Sequence, residues 1–264
     1  MISCSENSSS EREISLSTMA DCSTFYPSAF RTHDKIYELL VEAMVCSKFG
    51  LAEFFSEHCN EMNIPPNSRV LDVGCGVGPI GIFLADQKKC KVKGIDINPR
   101  AVRCCEANIE KYELAKYLSV ECADFSIYSK AIKNEKWDFI ISNPPIGNSS
   151  SSTHITSYTE IDYNKITQEQ FAFLTNSWHS EEGLELLDFI FRYASLHLAV
   201  NGKVLIVFCS MSCTTIEQLA KKAERHGFVL ESVVDGEIEA SSLGVRKPDL
   251  TTIKTHIINF ISKY

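Results

Sequence analysis

The sequence predicts an α/β fold: a doubly wound, Rossmann-like sheet of seven mostly parallel strands with an antiparallel edge strand, preceded by a helical N-terminal extension. Three observations carry this. Short continuous apolar runs alternate with stretches of helical periodicity, the pattern of buried parallel strands joined by helices. One such run, Arg69-Val70-Leu71-Asp72-Val73, breaks into Gly74-Cys75-Gly76-Val77-Gly78 and resumes at helical spacing from Pro79. The last two runs, 228–234 and 255–260, alternate apolar and polar residues, which suits an edge pair.

Taken in order, residues 1–24 are rich in Ser and Glu and lack periodicity, so they read as a flexible tail. In 25–66, the apolar residues Ile36, Leu39, Leu40, Ala43, Met44, Phe49, Leu51, Phe54 and Phe55 recur at helical spacing. That predicts a helical extension closed by Pro65-Pro66-Asn67, with the main domain over 67–264. Strands follow at 69–73, at Lys91–Asp96, at Leu118–Cys122 and at Trp137–Ile141. Helices start at Pro79, which needs no amide hydrogen there, and at Asn98-Pro99. The polar stretch Asn148–Gln168, with Tyr158 and Tyr163, is long enough to read as a lid or moving segment. Glu182–Leu198 is an amphipathic helix, Lys203–Phe208 a fifth buried strand and Thr215–Arg225 a further helix.

Composition narrows the function classes. The net charge of −8 disfavours non-specific adhesion to nucleic acid, while leaving a nucleic-acid acceptor open. Eleven cysteines, an odd number at irregular spacing and without a Cys-x-x-Cys pair, suit reduced thiols and predict no metal site. No apolar run reaches the ~18 residues of a membrane helix. The first residues lack the basic start and apolar stretch of a signal peptide, so a cytoplasmic location and no membrane partner are expected.

Taken alone, the glycine loop fits two cofactors. Gly76-Val77-Gly78-Pro79-Ile80-Gly81 satisfies the dinucleotide pattern, and Asp96 lies where a ribose-binding acid should. A nicotinamide oxidoreductase is therefore one reading. Asp72, at the entry to the loop, would repel a pyrophosphate but suits the ammonium and sulfonium of S-adenosylmethionine. Asp124, after the third strand, can accept from an adenine amino group, with Phe125 beside it to pack on the ring. The fourth strand ends in Ser142-Asn143-Pro144-Pro145.

These four stretches, 70–78, 94–99, 123–125 and 142–145, resemble in order and spacing those of class I S-adenosylmethionine-dependent methyltransferases. The Asn-Pro-Pro sequence resembles the N-methyltransferase branch. Ser180-Glu181-Glu182-Gly183-Leu184-Glu185 resembles the HemK/PrmC-type enzymes, which methylate a glutamine of release factors. The resemblance implies cofactor contacts at Asp72, Gly74, Cys75, Gly76, Asp96, Ile97, Asp124, Phe125 and Asn143. It implies catalysis by Asn143 and Pro144, whose oxygens accept the N–H bonds of a planar nitrogen, and acceptor contacts at Pro145 and Ile146. Ile146 departs from the family's aromatic residue, so any stacking on the acceptor comes from elsewhere. The acceptor expected is a protein glutamine amide; an RNA or DNA base and a small-molecule amine are the alternatives. A non-catalytic protein keeping the cofactor fold is a further reading, and the sequence is silent on oligomeric state.

Overall fold

A computed structural model describes residues 25–42, 45, 48–130, 135–144, 185–209, 215–243 and 251–263. The tail 1–24, Pro145, Ile146 and the stretch with Tyr158, Tyr163 and Glu182 lie outside the described residues.

The chain begins with an antiparallel pair, β1 (Phe25–Arg31) and β2 (Ile36–Glu42), followed by α1 (Gly50–His58). The expected helical extension is thus corrected: its first half is a hairpin, and α1 is its one helix among the described residues. The physical reason is a period of two. Tyr37, Leu39 and Val41 alternate inward, whereas Ile36, which the helical reading needs inside, is 65% exposed. The hairpin is not a separate body. Phe30 and Tyr37 stack with ring centroids 5.6 Å apart and lie in one core with Phe54, Ile80 and Phe83. Residues 25–66 and the rest therefore share a core across the expected boundary. Arg103 also grips buried Glu42 through two parallel bonds of 3.1 Å.

The pair 27/40 in this hairpin directs its amide positions away from the partner strand, because Leu40 N–H is bonded elsewhere. Pro27 therefore places a residue without an N–H on the outer edge of β1. Further along that edge, Arg31 N–H donates to Glu53 Oε1 at 2.8 Å.

The main sheet contains β3 (Arg69–Val73), β4 (Lys91–Asp96), β5 (Leu118–Cys122), β6 (Trp137–Ser142), β7 (Leu198–Cys209), β8 (Phe228–Glu239) and β9 (Thr252–Ser262). Their spatial order is β5-β4-β3-β6-β7-β9-β8. All neighbours from β5 to β7 are parallel; β9 runs antiparallel between β7 and the edge strand β8. The helices are α2 (Pro79–Asp86), α3 (Pro99–Lys111), the short α4 (Phe125–Tyr128), α5 (Glu185–His197) and α6 (Ile216–Arg225).

Both faces of the sheet are covered, which explains the continuous apolar runs. Val70, Ile141 and Leu205 belong to the core with Ile80 and Phe83; their neighbours Leu71, Ile140 and Ile206 belong to the core with Ile190 and Phe191. Local signals set the helix starts. Pro79 and Pro99 occupy first-turn positions, and Asn98 Oδ1 accepts from Arg100 N–H at 3.0 Å. Thr215 and Gln218 form a reciprocal capping box at the head of α6. The strand order reverses at β3: the chain goes out through β4 and β5 and returns to β6 on the other side. The carboxyl ends of β3 and β6 flank that switch point, where open α/β sheets bind ligands.

Candidate active site at the sheet switch point

The glycine loop leaves β3 and is pinned to β4 from below. The N–H groups of Gly74 and Cys75 both donate to the Ile95 carbonyl, at 2.8 and 3.1 Å. Gly76 N–H donates to Asp96 Oδ2 at 2.8 Å. Gly74 and Gly76 have φ of +75° and +57°, and a Cβ at either would meet nothing within 4 Å. The open space beside the loop is thus real, and side chains there would fill it.

Asp72 lies at 2% exposure, and its Oδ2 has no hydrogen-bond partner among the described residues. Burial pushes its carboxyl up from 3.8 to about 7; repulsion from Asp96 adds to this and the Gly81 amide opposes it. A buried carboxylate oxygen without a partner is costly in the free protein. A cationic group is the chemistry that would satisfy it, whereas a pyrophosphate beside it would be repelled.

Asp96 is half-buried and closes on two amides: Oδ1 accepts from Asn98 N–H and Oδ2 from Gly76 N–H, both at 2.8 Å. Burial raises its carboxyl, and the amides of Asn98, Gly76 and Ile97 counter that. Each oxygen keeps a second lone pair for ligand hydroxyls. Ile97 faces the same turn through its backbone amide. The Asp96 carbonyl accepts from Ala123 N–H at 2.9 Å, which draws the loop bearing Asp124 against the end of β4.

Two expected contacts take a different form here. Phe125 is a correction: its ring is 3% exposed and packs against Tyr128 and Tyr193, at 5.7 and 5.5 Å between centroids. The short α4 that starts there turns the ring into the core, so it offers no face to a ligand. Cys75 also turns its side chain inward. The thiol is buried against Cys105 and fills the space that a Cβ on Gly94 would need, 2.8 Å away. Only the Cys75 backbone belongs to the loop surface. Asp124 caps α4, with Oδ1 accepting from Ser126 N–H at 2.8 Å. Its carboxylate is half-buried beside the Asp96 turn.

Asn143 and Pro144 come directly after β6, half-buried and buried respectively. Sequence reasoning missed the residue that holds them. Ser142 is fully buried, and its hydroxyl donates to the Val73 carbonyl at 2.8 Å. That bond clasps β3 to β6 at the switch point and brings the Asn143 backbone beside the start of the glycine loop. The signal was a lone hydroxyl at the end of an otherwise apolar strand, where a buried donor must find an acceptor. No group of three or more potential metal ligands occurs among the described residues.

Comparison with known proteins points to methyltransferases. Residues 52–162 match the family model described as Methyltransferase small domain. The chain is 29% identical over 194 residues to a release factor glutamine methyltransferase of Borreliella burgdorferi, covering 72% of this chain and 61% of that protein. It is 32% identical over 82 residues to a tRNA1(Val) (adenine(37)-N6)-methyltransferase of Bacteroides fragilis, covering 31% of this chain and 35% of that one. The chain thus spans between about a third and three fifths of the length of these relatives. Among solved structures, M. jannaschii TYW2 in complex with AdoMet superposes with a TM-score of 0.52 at 17% identity, covering 89% of this chain and 86% of that one. A methyltransferase from Pyrococcus furiosus gives 0.51 at 15%, covering 84% and 88%. At these identities the superpositions speak to the fold. The matched residues 52–162 include most of α1, the glycine loop, Asp72, Asp96, Asp124 and Asn143 and resemble a methyltransferase small domain, and the sheet around them has the fold of the methyltransferases it superposes on.

Proposed function

We propose that the protein is an S-adenosylmethionine-dependent N-methyltransferase whose acceptor is a planar nitrogen, with a protein glutamine amide as the first candidate. The observation that carries the cofactor reading is the buried carboxylate oxygen of Asp72, without a partner among the described residues, at the entry to an open glycine loop. The family match over 52–162 and the release factor relative support the same reading over a nicotinamide enzyme. Asp72, Gly74 and Gly76 hold the charged amino-acid part, Asp96 and the Ile97 turn the ribose, and Asp124 the adenine amine. When bound, the cofactor supplies an electrophilic methyl group.

The chain's own contribution is positioning. An amide or aromatic amine nitrogen has a delocalised lone pair. The Asn143 side-chain oxygen and the Pro144 carbonyl accept its two N–H bonds, which favours a tetrahedral nitrogen with its lone pair directed along one line. The proton released after transfer leaves to solvent, so no strong base is required before it. Pro145 and Ile146 continue the acceptor wall in this reading. A second reading, an exocyclic adenine amine, rests on the tRNA methyltransferase relative; the acidic net charge argues for the protein acceptor. A reducing, cytoplasmic setting accords with free thiols at all cysteines among the described residues, none of whose helices is long and apolar enough to cross a membrane.

Radiolabelled methyl transfer into a fractionated lysate tests this. Label is expected in the protein fraction, as methylated glutamine after enzymatic digestion and as methylamine after acid hydrolysis. Asn143→Ala should cut turnover by roughly 100-fold or more while cofactor binding persists. Label in RNA would select the second reading, and a protein that binds NAD but not S-adenosylmethionine would overturn both.

A further inference from the structure

The outer edge of β2 is paired with a helix instead of a strand. The backbone groups of Glu38, Leu40 and Glu42 face that edge, and α3 with the Tyr112 that caps it meets each with a side chain. Tyr112 Oη accepts from Glu38 N–H at 2.7 Å and donates to the Glu38 carbonyl at 3.0 Å. Asn108 Oδ1 accepts from Leu40 N–H at 2.6 Å, and Asn108 Nδ2 donates to the Leu40 carbonyl at 3.1 Å. Cys104 Sγ accepts from Glu42 N–H at 3.2 Å. The match is geometric. Four residues of helix advance about 6 Å and two residues of strand about 6.7 Å, so a row of side chains four apart keeps step with every second strand residue.

Asn108 differs from the other two. It is fully buried, and Nδ2 also donates to the Val77 carbonyl at 3.2 Å. Val77 belongs to the glycine loop. One carboxamide thus spends its acceptor and both kinds of donor contact on joining the hairpin to the loop. The bond fixes the carbonyl that precedes Gly78, in the same loop as the open Gly74 and Gly76.

We propose that Asn108 is a positioning residue for the cofactor loop, and that through it the N-terminal hairpin is a working part of the cofactor site. The affinity arm of the test rests on the cofactor reading above; the exchange arm does not. Two variants separate the roles. Asn108→Ser removes the link to Val77 as well as to Leu40, whereas Tyr112→Phe loosens the same strand edge at Glu38 without touching the loop. Amide hydrogen exchange is read in the ligand-free proteins, and S-adenosylmethionine affinity by calorimetry. N108S should speed exchange at Gly76–Gly78 and raise Kd, each by roughly tenfold. Y112F should speed exchange only in the hairpin and leave Kd unchanged. Unaltered loop exchange in N108S, or equal effects of both variants on the loop, would overturn the proposal. If the wild-type protein binds no S-adenosylmethionine, the cofactor reading fails while the exchange contrast still decides the role of Asn108. If N108S does not fold, the Asn108 side-chain amide protons of the wild type decide. Slow exchange, slowed further by saturating S-adenosylmethionine, supports the link; exchange as fast as that of an exposed asparagine overturns it.

Discussion

Asp72 shows at the scale of one residue how a buried carboxylate costs stability. Its carboxyl is raised from 3.8 to about 7, so in this window the folded state holds a proton that the unfolded state has lost. Stability therefore falls as pH rises from about 4 to about 7, and the whole penalty is present above that. Asp72→Asn removes it. The ligand-free variant should be more stable than wild type at pH 8, by up to about 4 kcal/mol, with no gain at pH 3.5. Urea titrations at the two pH values check this; a variant equally stable or weaker at pH 8 would contradict the buried-charge account. The same variant should lose most of its affinity for S-adenosylmethionine. In the wild type, affinity should weaken as pH falls below 7, because binding then requires that the carboxyl first lose its proton.

At the scale of elements, what the sequence made legible was what local chemistry decides. Pro79, Asn98-Pro99 and Thr215 mark helix starts because each answers the unpaired amides of a first turn, and each stands where expected. The hairpin was not legible. Residues 36–44 satisfy a helical template and a strand template together, and the choice is made by contacts distant in sequence, with Phe54, Asn108 and Tyr112. Phe125 was misread for a related reason: an aromatic after an acid looks like a ring platform until α4 turns it inward. The glycines of the loop divide in the same way. A Cβ on Gly78, at φ +87°, would lie 2.6 Å from the buried Cys105 Sγ. Gly78→Ala should therefore cost about 2–4 kcal/mol in stability. Gly74→Ala, with open space around it, should cost about 1–2 kcal/mol from backbone strain while blocking cofactor binding. Thermal unfolding and calorimetric titration of the pair separate the two effects, and similar stability losses would refute the distinction.

For the whole molecule, the hairpin, α1 and the sheet share one core, and α3 with its cap Tyr112 fastens the hairpin along Glu38, Leu40 and Glu42. The protein should therefore unfold in one transition. Tyrosine fluorescence, far-ultraviolet circular dichroism and the exchange of hairpin amides should report a single midpoint. An early, separate loss of the hairpin would show that it is an accessory body. The site is divided in the same global manner. The proposed cofactor half is made of motifs at the ends of single strands, which is why residues alone suggest it. The clasp of Ser142 to Val73 and the reach of Asn108 to Val77 join segments 69 and 31 residues apart, and no local pattern announces them.

Pro27 has a consequence for how copies of the protein behave toward one another. A two-stranded pair at the surface is a template on which another chain can add a strand. Proline breaks the row of donors at the middle of β1, and Glu53 occupies the Arg31 amide near its end. Pro27→Val would restore a continuous edge of high strand propensity with little change in the folded monomer. Sedimentation at rising concentration should then reveal slow self-association that the wild type lacks, along with growing strand content in circular dichroism. A variant that stays monomeric at high concentration would show that the edge is guarded by something other than the missing amide. The same residue that contributes nothing to the chemistry of the cleft would then set how concentrated the protein can become before it polymerises.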